Sequence, residues 1–169
     1  AHITTQSSTI VHEAKIGGSI QQISISAKEN TLIEFLPDPQ VMFPGARLDS
    51  QVKIVAAPSA TVVVCDSFLA HDPNGAGGLF DRLASELVVE TPEGRLRCLD
   101  RFEITGQQLT SDKRFTAHGT FVCVDENLAE TARLEISQSL SGIPELYAGV
   151  STLPNDAGLW ARLLAPDTR

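Results

Sequence analysis

Apolar and polar residues alternate with a period of two along most of this chain. That period builds half-buried strands and does not suit a helical bundle. Ile23 and Ile25 alternate with Ser24 and Ser26, and Leu48, Val52 and Ile54 with Asp49, Gln51 and Lys53. Leu83, Leu87 and Val89 alternate with Ala84, Glu86 and Val88. More apolar strands are expected between them, over residues 31–36, 61–69 and 96–104. Turn residues punctuate the runs: Lys28-Glu29-Asn30, Ala57-Pro58-Ser59 and Thr91-Pro92-Glu93-Gly94. The chain is therefore expected to be mainly β up to about Val124.

A weak internal repeat overlies the alternation. An amphipathic strand, a polar turn and an apolar strand with one acid recur, the acids being Glu34, Asp66 and Asp100. Phe35, Phe68 and Phe102 follow them closely. A near-constant stride of strand pairs predicts a mostly β, solenoid-like stack of coils, with a β-sandwich of hairpins as the alternative. Residues 125–141 break the period. Asp125 is a good N-cap, Glu126 suits the first turn, and Leu128, Ala132, Ile136 and Leu140 lie at helical spacing before Gly142 and Pro144. One amphipathic helix over about 126–141 is expected near the C-terminal end, packed on the sheet. Strands over 146–153 and 159–164 should then form a hairpin through Pro154-Asn155-Asp156-Ala157-Gly158. A length of 169 residues suits one domain over 1–169.

Charge and motifs exclude several functions. Thirteen Lys and Arg against 21 Asp and Glu give a net charge of −8, which argues against nucleic acid as a partner. No apolar run approaches the roughly 20 residues of a membrane span. Cys65, Cys98 and Cys123 are odd in number and sit in apolar runs, as expected of reduced core thiols in a cytoplasmic protein. Their spacing matches no zinc motif. The loop His71-Asp72-Pro73-Asn74-Gly75-Ala76-Gly77-Gly78 is Gly-rich but lacks the Lys-Ser/Thr ending of a P-loop, so it reads as a surface connection and no nucleotide is expected. His2, His12, His71 and His118 are scattered, with His118 read as a strand-edge residue. No Ser-His-Asp set, Gly-x-Ser-x-Gly elbow or Cys-His pair stands out, so the chain does not read as an enzyme. It opens on Ala1 and its one Met is Met42, which reads as a processed chain or a fragment.

The acids carry the most information. Asp100 shares a strand face with Leu96, Cys98, Phe102 and Ile104, opposite Arg95, Arg97, Arg101 and Glu103. Asp66 shares its face with Val62, Val64 and Phe68, and Glu34 with Leu32 and Leu36. Alternation therefore points all three inward. A carboxylate in a core costs several kcal/mol unless it is protonated, hydrogen-bonded or paired. Turn amides or Arg47, Arg82 and Arg101 could supply local partners. Alternatively the acids line a wet interior suited to a hard or borderline divalent cation. Asp66 and Asp100, one repeat apart, should then stack on one interior line. A carboxylate-dependent hydrolase would instead need two of these acids roughly 5–9.5 Å apart across an open cleft.

Six segments in order also carry a resemblance. They are Glu34-Phe35-Leu36-Pro37-Asp38-Pro39, Phe43-Pro44-Gly45-Ala46-Arg47, Val64-Cys65-Asp66, Gly77-Gly78-Leu79-Phe80, Leu99-Asp100-Arg101-Phe102 and Leu146-Tyr147-Ala148-Gly149-Val150-Ser151. Over nearly the whole chain this order resembles the urease accessory protein family UreD, also called UreH. The resemblance implies a right-handed β-helix with added helices. It implies a non-catalytic scaffold in urease activation that binds UreF, reaches the GTPase UreG through UreF, docks on apo-urease and assists nickel delivery. Glu34, Asp66 and Asp100 fall where the family carries acids, which makes them candidates for an ion passage and implies transient, weak nickel binding. The family's Gly-Gly-Asp segment and its C-terminal helical tail are expected to lie outside this chain. Thr9-Ile10-Val11-His12-Glu13 stands where the family has Ser-Lys-Phe-Tyr-Arg, and Gly78 where it has Glu. No partner-binding residue is assigned by sequence. The alternative is a small-ligand or metal-binding β-domain without urease partners.

Overall fold

The alternating runs become strands of two facing sheets. The computed structural model describes residues 1–112, 114–128 and 130–168. The strands in chain order are β1 (His2–Ile3), β2 (Thr9–Val11), β3 (Ser19–Ala27), β4 (Leu32–Phe35), β5 (Gln40–Met42) and β6 (Arg47–Ala56). β7 (Thr61–Ala70), β8 (Arg82–Glu90) and β9 (Leu96–Ile104) follow, then helix α1 (Gly106–Leu109) and β10 (Ala117–Val124). Helix α2 (Glu130–Ser141), β11 (Tyr147–Thr152) and β12 (Gly158–Ala165) complete the described elements.

The first half winds. β3, β6 and β8 pair in parallel in a small sheet, while β1, β4 and β7 pair in parallel in a large one, with β2 and β5 alongside. The chain passes between the sheets and returns, so Ser19 lies beside Leu48 and Leu48 beside Leu83. After β8 the direction reverses. The turn at Thr91 closes through its N–H to the Arg95 carbonyl, and Gly94 takes the left-handed φ of 82° that the reversal needs. β9 then pairs antiparallel with β8, β10 with β7, β12 with β10 and β11 with β12. The small sheet has the order β3-β6-β8-β9 and the large one β1-β4-β7-β10-β12-β11, and both stay open. The fold is mostly β, two mixed open sheets with parallel strand pairs first and antiparallel pairs after them.

β-branched side chains fill the space between the sheets, where a pleated surface packs them well. Ile25, Val52, Ile54, Leu87 and Val89 of the small sheet meet Val62, Val64, Val122 and Val124 of the large one. A second apolar cluster holds Met42, Leu48, Phe68, Phe80, Leu83 and Leu109. The expected C-terminal hairpin forms from β11 and β12, through a short 3-10 turn at Pro154–Asp156.

The late helix begins at Glu130, not near 126. Asp125 is spent on a turn: its Oδ1 accepts the Asn127 N–H at 2.8 Å, and its Oδ2 accepts the Thr61 hydroxyl at 2.7 Å, which ties it to β7. The stripe Leu128, Ala132, Ile136 and Leu140 is half-buried, and α2 lies against β11. Helix α1 was not legible by periodicity, being a single turn. Its signal is a capping box, in which Thr105 and Gln108 each accept a backbone N–H of the other.

Candidate functional site

The three acids do not share one environment. Glu34 points away from the core. β4 pairs with β7 so that Ile33 lies beside the buried Val62, and Phe35 beside the buried Val64, which leaves Glu34 on the outer face beside Val63. There it meets His2, whose Nδ1 lies 3.3 Å from its Oε2. Asp66 sits three places beyond Val63 on β7. With a period of two, an odd offset reverses the face, so the apparent repeat does not stack these acids. Asp66 does face inward, in line with Val62, Val64 and Phe68. Asp100 also faces inward, but from β9 of the other sheet, beside Leu87. The two aspartates therefore face one interior from opposite sheets, not from one stacked line.

Both belong to a polar lane that crosses the core between the two apolar clusters. On the small sheet Gln21, Ser50, Ser85 and Phe102 are successive cross-strand partners, and the Gln21 amide lies 3.4 Å from the Ser50 hydroxyl oxygen. On the large sheet Asp66, Thr120 and Arg162 are successive partners. Two residues to one side lie Val52, Val64, Leu87 and Val122 of the first cluster. Two residues to the other lie Leu48, Phe68 and Leu83 of the second. A cavity of about 20 Å³ lies between the rows, lined by Asp66, Ser85, Asp100, Phe102 and Thr120 among others. A space of that size admits about one water-sized species.

The two carboxyl groups are compensated differently. Asp100 accepts from Arg162 Nη2 at 2.5 Å, across the gap between β9 and β12. Among the described residues Asp66 makes no ion pair. The Gln40 amide approaches its Oδ1 at 3.5 Å, and burial pushes its carboxyl up to about 6. Gln40 is itself 5% exposed, and its Oε1 has no hydrogen-bond partner among the described residues. The shift at Asp66 comes from burial and not from repulsion by Asp100, whose charge Arg162 takes up.

The arginines singled out by sequence serve other acids: Arg47 meets Asp81, Arg82 meets Asp49 and Glu103, and Arg101 meets Glu86. All of these lie on exposed or outer faces. Gln21, Ser50, Ser85, Thr120 and Arg162 of the lane, and Gln40 beside Asp66, are the residues that sequence reading missed. His118 is not at a sheet edge, since β10 runs between β7 and β12. Its ring stacks on Phe68 at 5.0 Å and tilts against Phe102 at 5.2 Å. Burial first, and the Arg162 charge second, pull its imidazole down to about 4. The three cysteines are free, and burial pushes the Cys123 thiol up to about 11. The Gly-rich loop is organised by Asp72, whose carboxylate accepts the Asn74 and Gly78 N–H groups at 2.9 and 2.8 Å and is held below its usual range by them.

A wider, open trough of about 520 Å³ crosses the outer face of the small sheet past Gln22, Gln51, Glu86 and Arg101. Its Glu86 pairs with Arg101, and its Asp49 and Glu103 with Arg82, so the smaller interior cavity, with its uncompensated carboxyl, is the chemically distinctive site. Among the described residues no three His, Cys, Asp or Glu side chains gather as a ready metal cage. No described helix is long and apolar enough to cross a membrane. The lane offers two carboxylates and the hydroxyls of Ser50, Ser85 and Thr120, with the Gln40 amide beside Asp66, an oxygen set that suits small divalent cations held loosely.

Comparison with known proteins adds a family. The family model for the UreD urease accessory protein matches residues 1–169. The Methylorubrum extorquens (strain PA1) protein "Urease accessory protein UreD 1" is 38% identical over 172 residues, covering 99% of this chain and 58% of the relative. The "Urease accessory protein UreD 1" of Pseudomonas syringae pv. syringae (strain B728a) is 35% identical over 173 residues, covering 98% of this chain and 60% of the relative. The chain thus spans about three-fifths of the length of the curated relatives it matches.

Proposed function

Because the chain belongs to the UreD urease accessory protein family, we propose that it serves urease maturation as a non-catalytic scaffold for nickel delivery. In this reading its partners are apo-urease subunits, UreF and, through UreF, UreG. It holds no nucleotide, and the GTPase step belongs to the partner. Residues 1–169 act as one unit whose parallel coils follow a right-handed solenoid, in the cytoplasm.

The observation that carries the reading is the polar lane. A core of this size has no packing need for a row of Gln21, Ser50 and Ser85 facing Asp66, Thr120 and Arg162. A buried carboxyl without a cation beside it is costly in its ionised form. It becomes useful when a cation arrives, because Asp66 can then exchange its proton for the ion. The oxygen donors and the lack of a converging imidazole or thiolate favour loose, transient holding of nickel, as passage requires. Asp66 and Asp100 are the passage residues in this reading. Glu34, on the outer face with His2, stands at most near an entrance.

The test is co-purification of the full-length protein with UreF and with urease subunits at micromolar concentration. Recovery of a complex supports the scaffold. A full-length, folded protein that retains none of them would end this reading and leave the alternative, a metal- or ligand-binding β-domain without urease partners.

A further inference from the structure

Arg162 is built into the lane in an unusual way. It leaves β12 of the large sheet and reaches Asp100 on β9 of the small one. Its guanidinium carbon lies 4.6 Å from the Trp160 ring centroid and 4.9 Å from that of Phe102, so it is held between two aromatic faces. The contact with Asp100 is made through Nη2, while Nε is buried without a hydrogen-bond partner among the described residues. A guanidinium committed to structure commonly engages a carboxylate with two parallel N–H groups. This one leaves a buried donor unused, and its side chain stays 35% exposed, next to an Asp100 that is 23% exposed. The pair therefore sits at a seam between the sheets. Asp100 lines the cavity together with Asp66, and the Gln40 amide whose nitrogen approaches Asp66 has an Oε1 without a hydrogen-bond partner among the described residues.

We propose that Arg162 is a placeholder for a small divalent cation: it neutralises Asp100 at the seam until the ion displaces it, and it then moves off along the Trp160 face. The proposal rests on the ion-passage reading above and gives that passage a gate. A departing guanidinium releases the Asp100 carboxylate as an oxygen ligand and removes a positive charge that would repel an entering cation. The aromatic faces give the guanidinium a second resting place, because cation–π contact is retained as it slides outward. Before entry the lane holds two carboxyl groups and one guanidinium. After entry the divalent ion takes the place of the guanidinium, and the arginine charge goes to solvent.

Trp160 makes this testable, since it is the one tryptophan of the chain. Zinc is the probe, because its closed shell does not quench fluorescence as nickel does. Titrating the folded chain with Zn²⁺ should change Trp160 emission saturably as Arg162 shifts across the ring, and Asp100→Asn should abolish that change. Arg162→Met keeps the apolar stem and removes the charge. It should bind Zn²⁺ about tenfold or more tightly, since a like charge within a few ångströms is gone, and Arg162→Met with Asp100→Asn should lose the gain. The proposal is overturned if Arg162→Met binds no more tightly, or if the gain survives in the double variant. Should Arg162→Met fail to fold, an emission change that persists in Asp100→Asn overturns it equally. The readout needs no urease. A failed urease-activation test would remove the passage and leave this result standing, and a failure here would leave the passage without this gate.

Discussion

At the residue scale, Asp66 and His118 set opposing pH dependences in one core. The Asp66 carboxyl has an ordinary value of 3.8 and is raised by burial to about 6. Between those values the folded state holds a proton that the unfolded chain has released, so stability falls as pH rises, by about 3 kcal/mol across the window. His118 runs the other way. Its folded value of about 4 lies below the ordinary 6.5, so the unfolded chain takes up the proton first and stability falls as pH drops through that range. The two windows overlap and their slopes cancel, which predicts a flat wild-type profile for these two groups. Asp66→Asn keeps the size and the Gln40 contact and removes the ionised form. It should stabilise the protein by about 1–3 kcal/mol at pH 8 and unmask a stability that rises between pH 4 and 6.5. His118→Gln should unmask the opposite slope. Urea denaturation midpoints of both variants across this range check the pair, and parallel profiles would refute the assignment.

At the element scale, the β10–β12 pairing depends on Gly158. Its φ is 134°, and a Cβ built there would lie 2.0 Å from the Cys123 carbonyl oxygen. Gly158→Ala must therefore displace backbone at the start of β12, and a loss of about 3 kcal/mol or more is expected. A thermal-unfolding midpoint lowered by less than a few degrees would contradict that. Strands were legible because a period of two is a local pattern. Their pairing was not, because alternation marks two faces without saying which one meets the core. In β4 both faces are apolar, Leu32 with Leu36 and Ile33 with Phe35, so only the register with β7 turns Glu34 outward. Asp66 and Asp100 were readable as inward because each shares its face with buried neighbours. Arg162, Gln40 and Thr120 were not readable as their partners. Arg162 meets Asp100 across 62 residues and two sheets, and nothing local marks such a contact. The start of α2 shifted for a similar reason, since Asp125 is claimed by Thr61 on a distant strand.

At the scale of the whole molecule, two open sheets enclose a core that is apolar at both ends and polar in the middle. The chain belongs to the UreD family, and in the proposed function the lane is what this domain contributes to urease maturation. If the lane carries the cargo, its charge should matter to delivery and not to assembly. The most direct measurement is nickel-dependent activation of urease by the full-length protein bearing Asp66→Asn, with assembly of the complex followed in the same preparation. The account predicts a complex formed in normal yield and activation slowed several-fold. A complex that assembles normally and activates urease at the wild-type rate would contradict it, and would leave the buried acid a structural feature of the core.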